Sequence, residues 1–193
     1  RVSRLLMSVR KGFCLWFTGL SGAGKSTVSG AVHHALQQRG ITNVELLDGD
    51  EVRTHLTKGL GFSKEDRDTN VLRIGWVCQL LAKNGVPCMT AAISPYRDIR
   101  AQVREMVEKA AGKGAFIEVF VNASVEECAR RDVKGLYAKA MKGEIPQFTG
   151  VSDPYEAPEA PEIELCTADE ALEESTAKVI RFLETNGYLG AAE

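Results

Sequence analysis

The sequence predicts an α/β fold in which a parallel sheet of five strands is covered by helices on both faces. Three observations predict this fold: short apolar runs without polar alternation, amphipathic helical stretches between them, and a glycine-rich turn after the first run. Strands buried on both faces have such continuous apolar runs. Helices that alternate with them form crossover connections, which make neighbouring strands parallel.

The first predicted strand is Cys14–Thr18, and an amphipathic helix follows from about residue 25 to 38. Gly40 ends this helix, at the position where a left-handed cap favours glycine. The later predicted elements, in chain order, are a strand over 44–47, a short helix after Asp50, a helix over 66–83, a strand over 86–93, a helix over 97–111, a strand over 115–121, a helix capped by Ser124, a strand over 163–166 and a helix over 169–184.

The stretch from Arg130 to Pro161 differs from the rest because it is poorly periodic and is interrupted by glycine and proline. Its length exceeds that of an ordinary connection, which favours a lid or binding segment. We expect an N-terminal extension or linker over residues 1–11, one domain over 12–189 and a tail over 190–193. Because the chain begins with arginine rather than methionine, we also expect it to be part of a longer polypeptide.

The composition fits a single globular domain and excludes several other classes. The chain has 193 residues, of which 44% are hydrophobic and 26% charged. This composition is sufficient for a hydrophobic core and does not predict disorder. The net charge of −2 excludes a globally basic nucleic-acid or membrane-surface binder. No apolar run approaches the roughly 20 residues of a membrane span. The five cysteines form no C-x-x-C pair, and we expect reduced, buried thiols in a cytoplasmic protein.

The small net charge conceals an uneven distribution along the chain. Residues 1–142 contain 22 basic and 14 acidic side chains, whereas residues 143–177 contain ten acidic side chains and no basic one. The first part therefore has a positive surplus, which would attract anionic substrates.

The glycine-rich turn, Gly19–Ser26, reads GLSGAGKS and satisfies the P-loop pattern G-x-x-x-x-G-K-[ST] between a strand and a helix. Its glycines let backbone N–H groups converge on phosphate oxygens at a helix N-terminus. We expect Lys25 to reach the β- and γ-phosphates and Ser26 to ligate Mg²⁺. The alternative is a tight turn that binds nothing. The predicted ATP-binding residues of this loop are Gly19, Ser21, Gly22, Ala23, Gly24, Lys25, Ser26 and Thr27.

Two features narrow the choice among the classes of P-loop protein. The chain contains no N-K-x-D motif for reading guanine, and the strand Phe116–Asn122 does not end in the Asp-Glu of hydrolytic P-loop enzymes. A short chain with a lid then favours a small-molecule kinase.

Asp48 and Asp50 follow the second strand, where parallel sheets place their ligands. One carboxylate can hold a Mg²⁺ ligand or accept the acceptor's proton, and the other can orient the acceptor. The alternative is an N-cap, a role that Asp50 could fill. We expect Asp48 to be the Mg²⁺-linked catalytic base.

Several longer elements then occur in a fixed order along nearly the whole chain. They are LDGD at 47–50, GFS at 61–63, ISPYR at 93–97, RDVKGLY at 131–137, FTG at 148–150 and DPYEAP at 153–158. Together with the P-loop they resemble the adenylylsulfate kinases. Pro146-Gln147 before the FTG element, and Asp68-Thr69 in place of an acidic pair, depart from the family pattern. The proline could stiffen the lid.

The resemblance implies transfer of the γ-phosphoryl group of MgATP to the 3′-hydroxyl of adenylyl sulfate (APS), giving PAPS and ADP in sulfate activation. It further implies that Arg53 and Arg67 meet the phosphosulfate and that Phe62 and Phe148 sandwich the adenine. Alone, either phenylalanine would be interpreted as core. The implied acceptor-binding residues are Asp50, Arg53, Phe62, Arg67, Asn70, Ile93, Ser94, Lys134, Gly135, Leu136 and Phe148. On the nucleotide side the resemblance adds Arg131 and Thr167. It also places the family's lid at about residues 130–151.

Ser94 corresponds to a serine sometimes assigned a phosphoserine intermediate in this family, so it is a candidate catalytic residue. A serine hydroxyl without an adjacent base is a poor nucleophile, and no histidine lies near it in sequence. We therefore expect direct in-line transfer, with Ser94 contacting the substrate.

Two other functions remain open. One is another small-metabolite kinase of the gluconate or shikimate type, and the other is a silent nucleotide-binding domain that regulates a fused ATP sulfurylase. The resemblance implies a homodimer, and the segment Lys11–Thr18 looks most like kinases fused to ATP sulfurylase. We expect Trp16 and Trp76 in the core and the Arg97, Arg100 and Arg104 series on a solvated helix face. The alternative for this series is a position beside the anionic substrate.

Overall fold

The computed structural model describes residues 7–9 and 11–191. It confirms the predicted fold class, with a five-stranded sheet of order β3-β4-β2-β5-β6 in which all neighbours are parallel. The strands are β1 (Met7–Val9), β2 (Cys14–Thr18), β3 (Glu45–Asp48), β4 (Cys88–Ala91), β5 (Phe116–Asn122), β6 (Ile163–Cys166) and β7 (Leu189–Ala191).

Helices cover both faces of the sheet, as predicted. The helices are α1 (Lys25–Gln38), α2 (Gly49–His55), α3 (Lys64–Lys83), α4 (Arg97–Ala111), α5 (Val125–Arg131), α6 (Leu136–Met141) and α7 (Leu172–Thr185). The apolar sides of α1 and α7 pack with Leu15 and Phe17 on one face. On the other face α3 and α4 pack with Trp16 and Phe116. Every residue of β2 is buried, which explains its unbroken apolar run.

Glycine is required where the chain enters β2. A Cβ atom on Gly12 would lie 1.9 Å from the carbonyl oxygen of Ala82 at the end of α3. This close approach fixes α3 against the start of the central strand, and β2 leads directly into the glycine-rich loop.

Three sequence expectations about the fold need correction. The strand predicted over 86–93 is limited to β4, because residues 92–96 form an irregular loop. Residues 130–161 are less irregular than expected, since they contain α6. The expected tail over 190–193 is wrong for residues 190 and 191, which belong to β7. Its strand pairs antiparallel with β1, with Met7 opposite Ala191.

The remaining residues of the expected extension and tail, 1–6, 10, 192 and 193, lie outside the described residues. Within the described part, no cysteine is in a disulfide, and four of the five thiols are buried. Trp16 lies in the core as predicted, but the prediction for Trp76 is wrong, since this side chain is 55% exposed. None of the described helices has both the length and the apolarity that crossing a bilayer requires.

Candidate active site

A cleft of about 730 Å³ opens at the carboxyl ends of the central strands. The glycine-rich loop, the start of α2, the β4–α4 loop and the predicted lid all contribute to it. The structure brings most of the predicted site residues into its lining: Ser21, Gly22, Gly24, Lys25, Ser26, Thr27, Asp48, Asp50, Arg53, Phe62, Arg67, Asn70, Ile93, Ser94, Arg131, Lys134, Leu136, Phe148 and Thr167. Gly19, Ala23 and Gly135 are not among the lining residues.

The glycine-rich loop wraps around the Lys25 side chain. Gly22 and Gly24 have φ values of 77° and 100°, which favour glycine. The Lys25 ammonium donates to the carbonyl oxygens of Gly19 at 3.0 Å and Leu20 at 2.7 Å. Burial lowers the pKa of Lys25 to about 8, because the charged form loses hydration. The loop therefore holds a buried cation at the start of α1.

Ser26 and Asp48 meet at the floor of the cleft. The Ser26 hydroxyl donates to Asp48 Oδ2 at 2.7 Å, which joins the start of α1 to the end of β3. Asp48 Oδ1 accepts from the backbone N–H of Asp50 at 3.0 Å and so caps α2. The N-cap that was an alternative role for Asp50 is thus formed by Asp48. Asp48 therefore has a capping role as well as its position beside Ser26.

Arg131 and Thr167 close the cleft beside the glycine-rich loop. The Thr167 hydroxyl donates to the carbonyl oxygen of Ala23 at 2.7 Å. Arg131 donates to the carbonyl oxygens of Thr167 at 2.7 Å and Gly22 at 3.3 Å. Glu127 accepts from Arg131 Nε at 2.7 Å, and this orients the guanidinium. Both residues assigned to the nucleotide by resemblance therefore contact the glycine-rich loop.

The cap of α5 explains the position of Glu127. The predicted N-cap is confirmed, since the Ser124 hydroxyl accepts from the Glu127 backbone N–H at 3.2 Å. The Glu127 carboxylate does not complete a capping box; it pairs with Arg130 and Arg131, each at 2.7 Å. These arginines lower the pKa of Glu127 to about 2.

On the opposite side of the cleft, side chains meet across distant segments. Lys134 Nζ lies 2.5 Å from Asp50 Oδ2, which links the predicted lid to α2. The Arg53 guanidinium lies 4.5 Å from the ring centroid of Phe62, and burial lowers the Arg53 pKa. Phe62 is 57% exposed and faces the cleft, so the core interpretation is wrong for it.

Arg67 and Asn70 lie on the buried side of α3. Arg67 donates from Nε to the carbonyl oxygen of Phe62 at 2.8 Å and from Nη2 to that of Gln147 at 2.6 Å. Asn70 Oδ1 accepts from the Thr57 hydroxyl at 2.7 Å. Gln147 is in the left-handed region with a φ of 54°, so the departure before the FTG element lies against Arg67.

Phe148 is both a core residue and part of the cleft lining. Its ring packs edge-on against Tyr137 at a centroid distance of 5.0 Å. The Tyr137 hydroxyl donates to the carbonyl oxygen of Ser21 at 2.9 Å, so this aromatic pair connects the lid to the glycine-rich loop. Tyr137 ends the RDVKGLY element at 131–137, which is the only sequence signal for it, and that element alone does not predict this contact.

Ser94 lies in the β4–α4 loop with its hydroxyl turned inward. The side chain is buried, and its oxygen accepts from Trp16 Nε1 at 2.9 Å and donates to the carbonyl oxygen of Ala92 at 3.3 Å. Its φ is 41°, a conformation that a non-glycine residue rarely adopts. The hydroxyl thus has partners within the protein.

Comparison with known proteins agrees with this geometry. The adenylylsulphate kinase family matches residues 11–166. An adenylyl-sulfate kinase of Picosynechococcus sp. is 57% identical over 179 residues, covering 93% of this chain and 97% of that protein. A probable bifunctional SAT/APS kinase of Sorangium cellulosum is 54% identical and covers 92% of this chain but only 29% of its own length.

A solved structure supports the same relationship. The APS kinase CysC of Mycobacterium tuberculosis, solved in complex with AMPPNP and APS, superposes with a TM-score of 0.85 and 43% identity. The match covers 90% of this chain and 98% of that one. The order of the sequence elements, the fold and the cleft thus have one common explanation: this chain belongs to the adenylylsulphate kinase family.

Proposed function

We propose that this chain transfers the γ-phosphoryl group of ATP to the 3′-hydroxyl of adenylyl sulfate, forming PAPS and ADP. The observation that supports this most is the single cleft shared by the glycine-rich loop and the acceptor-side residues on α2, α3 and the predicted lid. A phosphoryl transfer needs both substrates in one cavity that excludes water.

On the nucleotide side, the glycine-rich loop binds the phosphates through its backbone N–H groups, and Lys25 neutralises the transferring group. Arg131 and Thr167 bind the nucleotide beside this loop. Their contacts with Gly22 and Ala23 support this role.

Mg²⁺ is the expected metal of this reaction. Ser26 and Asp48 would hold it, and their contact at 2.7 Å presents two oxygen donors of the type that Mg²⁺ prefers. When bound, the ion supplies charge neutralisation of the phosphates. Asp48 also acts as the base that accepts the proton of the acceptor hydroxyl.

On the acceptor side, Asp50 and Asn70 orient the ribose, while Arg53 and Arg67 pair with the phosphosulfate. Arginine suits this group because its planar fork matches tetrahedral oxyanions. Phe62 and Phe148 flank the adenine. Polar and backbone contacts come from Ile93, Ser94, Lys134, Gly135 and Leu136.

The transfer is direct, without a phosphoserine. The inward hydrogen bonds of the Ser94 hydroxyl and its burial support this choice. The roles left to Ser94 are substrate contact through the backbone and support of the loop. Rapid acid quench with γ-labelled ATP is expected to leave no stoichiometric label on Ser94, and such a label would overturn direct transfer.

The setting of the activity is also a proposal. The protein acts in the cytoplasm as a homodimer, and its buried, unpaired thiols support a reducing compartment. Fusion to or association with an ATP sulfurylase is supported by the Sorangium relative, which is named as a probable bifunctional SAT/APS kinase. Size-exclusion chromatography with light scattering tests the dimer, because a monomer at micromolar concentration contradicts it.

One assay separates the candidate functions. Release of ADP is measured with adenylyl sulfate, shikimate, gluconate and no acceptor, and turnover is expected only with adenylyl sulfate. Turnover with shikimate or gluconate would identify another metabolite kinase. Binding of an ATP analogue without any turnover would identify the silent regulatory domain.

A further inference from the structure

Arg100 is a buried arginine that the proposed reaction does not use directly. The expectation of a solvated Arg97, Arg100 and Arg104 series is wrong for Arg100, which is only 3% exposed on α4. A buried guanidinium is costly unless all of its donors and its charge are compensated. Its partners therefore indicate what the residue is for.

The three donor positions of Arg100 bind three separate segments. Nε donates to Glu118 Oε1 on β5, Nη1 to the carbonyl oxygen of Ser94 and Nη2 to the carbonyl oxygen of Glu156, each at 2.7 Å. Glu118 compensates the charge. The two carbonyl contacts serve a different purpose, because each holds the backbone of a segment next to the cleft.

The Ser94 contact acts on strained backbone. Residues in the left-handed region cost of order 1–3 kcal/mol and persist only where the surroundings hold them. Arg100 holds the Ser94 carbonyl, Trp16 holds the hydroxyl at 2.9 Å, and Thr18 donates to the Ile93 carbonyl at 2.7 Å. Ile93 and Ser94 line the cleft in this conformation.

The Glu156 contact acts on the segment after the lid. We call residues 153–162 the strap. Tyr96 donates to Asp153 at 2.8 Å, and the Asp153 carbonyl accepts from Gly150 N–H at 2.7 Å within the turn that begins at Phe148. Arg100 thus links the β4–α4 loop to the strap that anchors the end of the lid.

We propose that Arg100 is a positioning residue for the acceptor, holding the Ser94 backbone and the strap in the geometry that receives adenylyl sulfate. The proposal rests on the proposed function for the identity of the acceptor. Arg100 acts through backbone carbonyl oxygens, so neither a positive charge alone nor an apolar side chain of similar size reproduces its effect. Lysine has one ammonium and lacks the planar fork that reaches three divergent acceptors.

The chain supplies a matched control on the same helix. Arg104 also approaches Glu118, at 3.6 Å, but its closest partner is Glu162 at 2.7 Å. It donates to neither Ser94 nor Glu156. Arg104→Met therefore removes a neighbouring arginine from the same carboxylate without touching the two carbonyls.

The test measures steady-state kinetics with MgATP and adenylyl sulfate for Arg100→Lys, Arg104→Met and Arg100→Met/Glu118→Gln. The double variant leaves no unpaired buried charge, so it separates folding from positioning. We expect its kcat/KM for adenylyl sulfate to fall by about tenfold or more, since small misplacements near reacting groups are costly. The kcat/KM of Arg100→Lys should fall similarly, whereas that of Arg104→Met should stay within about twofold of the wild type. The affinity of every variant for an ATP analogue should also stay within about twofold.

If the folded double variant used adenylyl sulfate with the kcat and KM of the wild type, the positioning role would be wrong. A wild-type protein without turnover on adenylyl sulfate instead overturns the proposed function. The loop is then tested separately by Trp16 emission in a Trp76→Phe background. We expect acrylamide to quench Trp16 more in the double variant, and unchanged quenching contradicts the inference.

Discussion

The two halves of the cleft are built in different ways. On the nucleotide side, Lys25, Arg131 and Thr167 bind mainly backbone carbonyls of the glycine-rich loop and its surroundings. On the proposed acceptor side, Arg67 also binds backbone carbonyls, but side chains from distant segments meet each other as well, as Lys134 meets Asp50. In the first half these contacts converge on one continuous stretch, the glycine-rich loop, whereas the second half depends on how α2, α3 and the lid come together.

The largest expected effect tests the nucleotide half. Lys25→Met should reduce kcat/KM by about 10³-fold, because a preorganised charge at the transferring phosphoryl group is lost. It should also raise the free energy of unfolding near pH 7, since the variant no longer buries an ammonium. Calorimetry measures the stability, and the ADP-release assay measures kcat/KM. A variant with less stability than the wild type would contradict the second expectation.

The next effect tests whether the halves are separable. Arg53→Ala and Asp50→Asn should each lower kcat/KM for adenylyl sulfate by about a hundredfold, while the affinity for an ATP analogue changes by less than about threefold. Arg73→Ala is the matched control, because Arg73 is outside the cleft lining. A loss of analogue affinity as large as that of Lys25→Met would show that the halves are not independent.

The pH dependence of nucleotide binding sharpens the comparison. Because the free-state pKa of Lys25 is about 8, its ammonium is lost as pH rises above that value. Affinity for an ATP analogue should then fall by up to about tenfold per pH unit. Calorimetric titration from pH 7 to 9.5 measures this fall and the proton uptake expected on binding, and a flat profile would contradict it.

The effect of Lys25 on folding stability changes with pH in the opposite direction to its effect on nucleotide affinity. Between pH 8 and the ordinary lysine pKa, the unfolded chain keeps a proton that the native Lys25 has lost. The contribution of Lys25 to stability therefore rises with pH over this window and is lost as pH falls through 8. Lys25→Met should remove that slope from denaturant titrations.

The smallest expected effect concerns a single hydrogen bond of the nucleotide half. Thr167→Val removes the donor to the Ala23 carbonyl and should weaken binding of an ATP analogue by about threefold to tenfold, the range of one net hydrogen bond. The KM for adenylyl sulfate should stay unchanged. An equal effect on both substrates would mean that Thr167 supports the whole cleft.

The same contrast explains how much the sequence could predict. The apolar runs and the glycine-rich loop are local signals, and the sheet and the Ser26–Asp48 neighbourhood followed from them. Burial within the chain is not local: nothing in the pattern distinguishes buried Arg100 from its more exposed neighbour Arg104 on the same helix face. The meeting of Arg67 with Gln147, 80 residues away, likewise depends on the tertiary fold.

Apart from Asp50, the proposed acceptor residues follow from the resemblance rather than from physical reasoning. Phe62 and Phe148 have the same side chain, yet one is 57% exposed and the other 9%. Their surroundings differ, since Phe148 packs on Tyr137 while Phe62 lies under Arg53. The sequence around a single phenylalanine shows neither its exposure nor its packing partner.

The antiparallel pair of β1 and β7 has a mechanical consequence. Met7 lies opposite Ala191, so a force applied to these two residues loads the ribbon from its open end. Its hydrogen bonds would then break sequentially from the loaded end, so we expect the ribbon to open at low force. The neighbours β2 and β5 pair in parallel within the other sheet, so we expect the ribbon to separate before the sheet that carries the cleft.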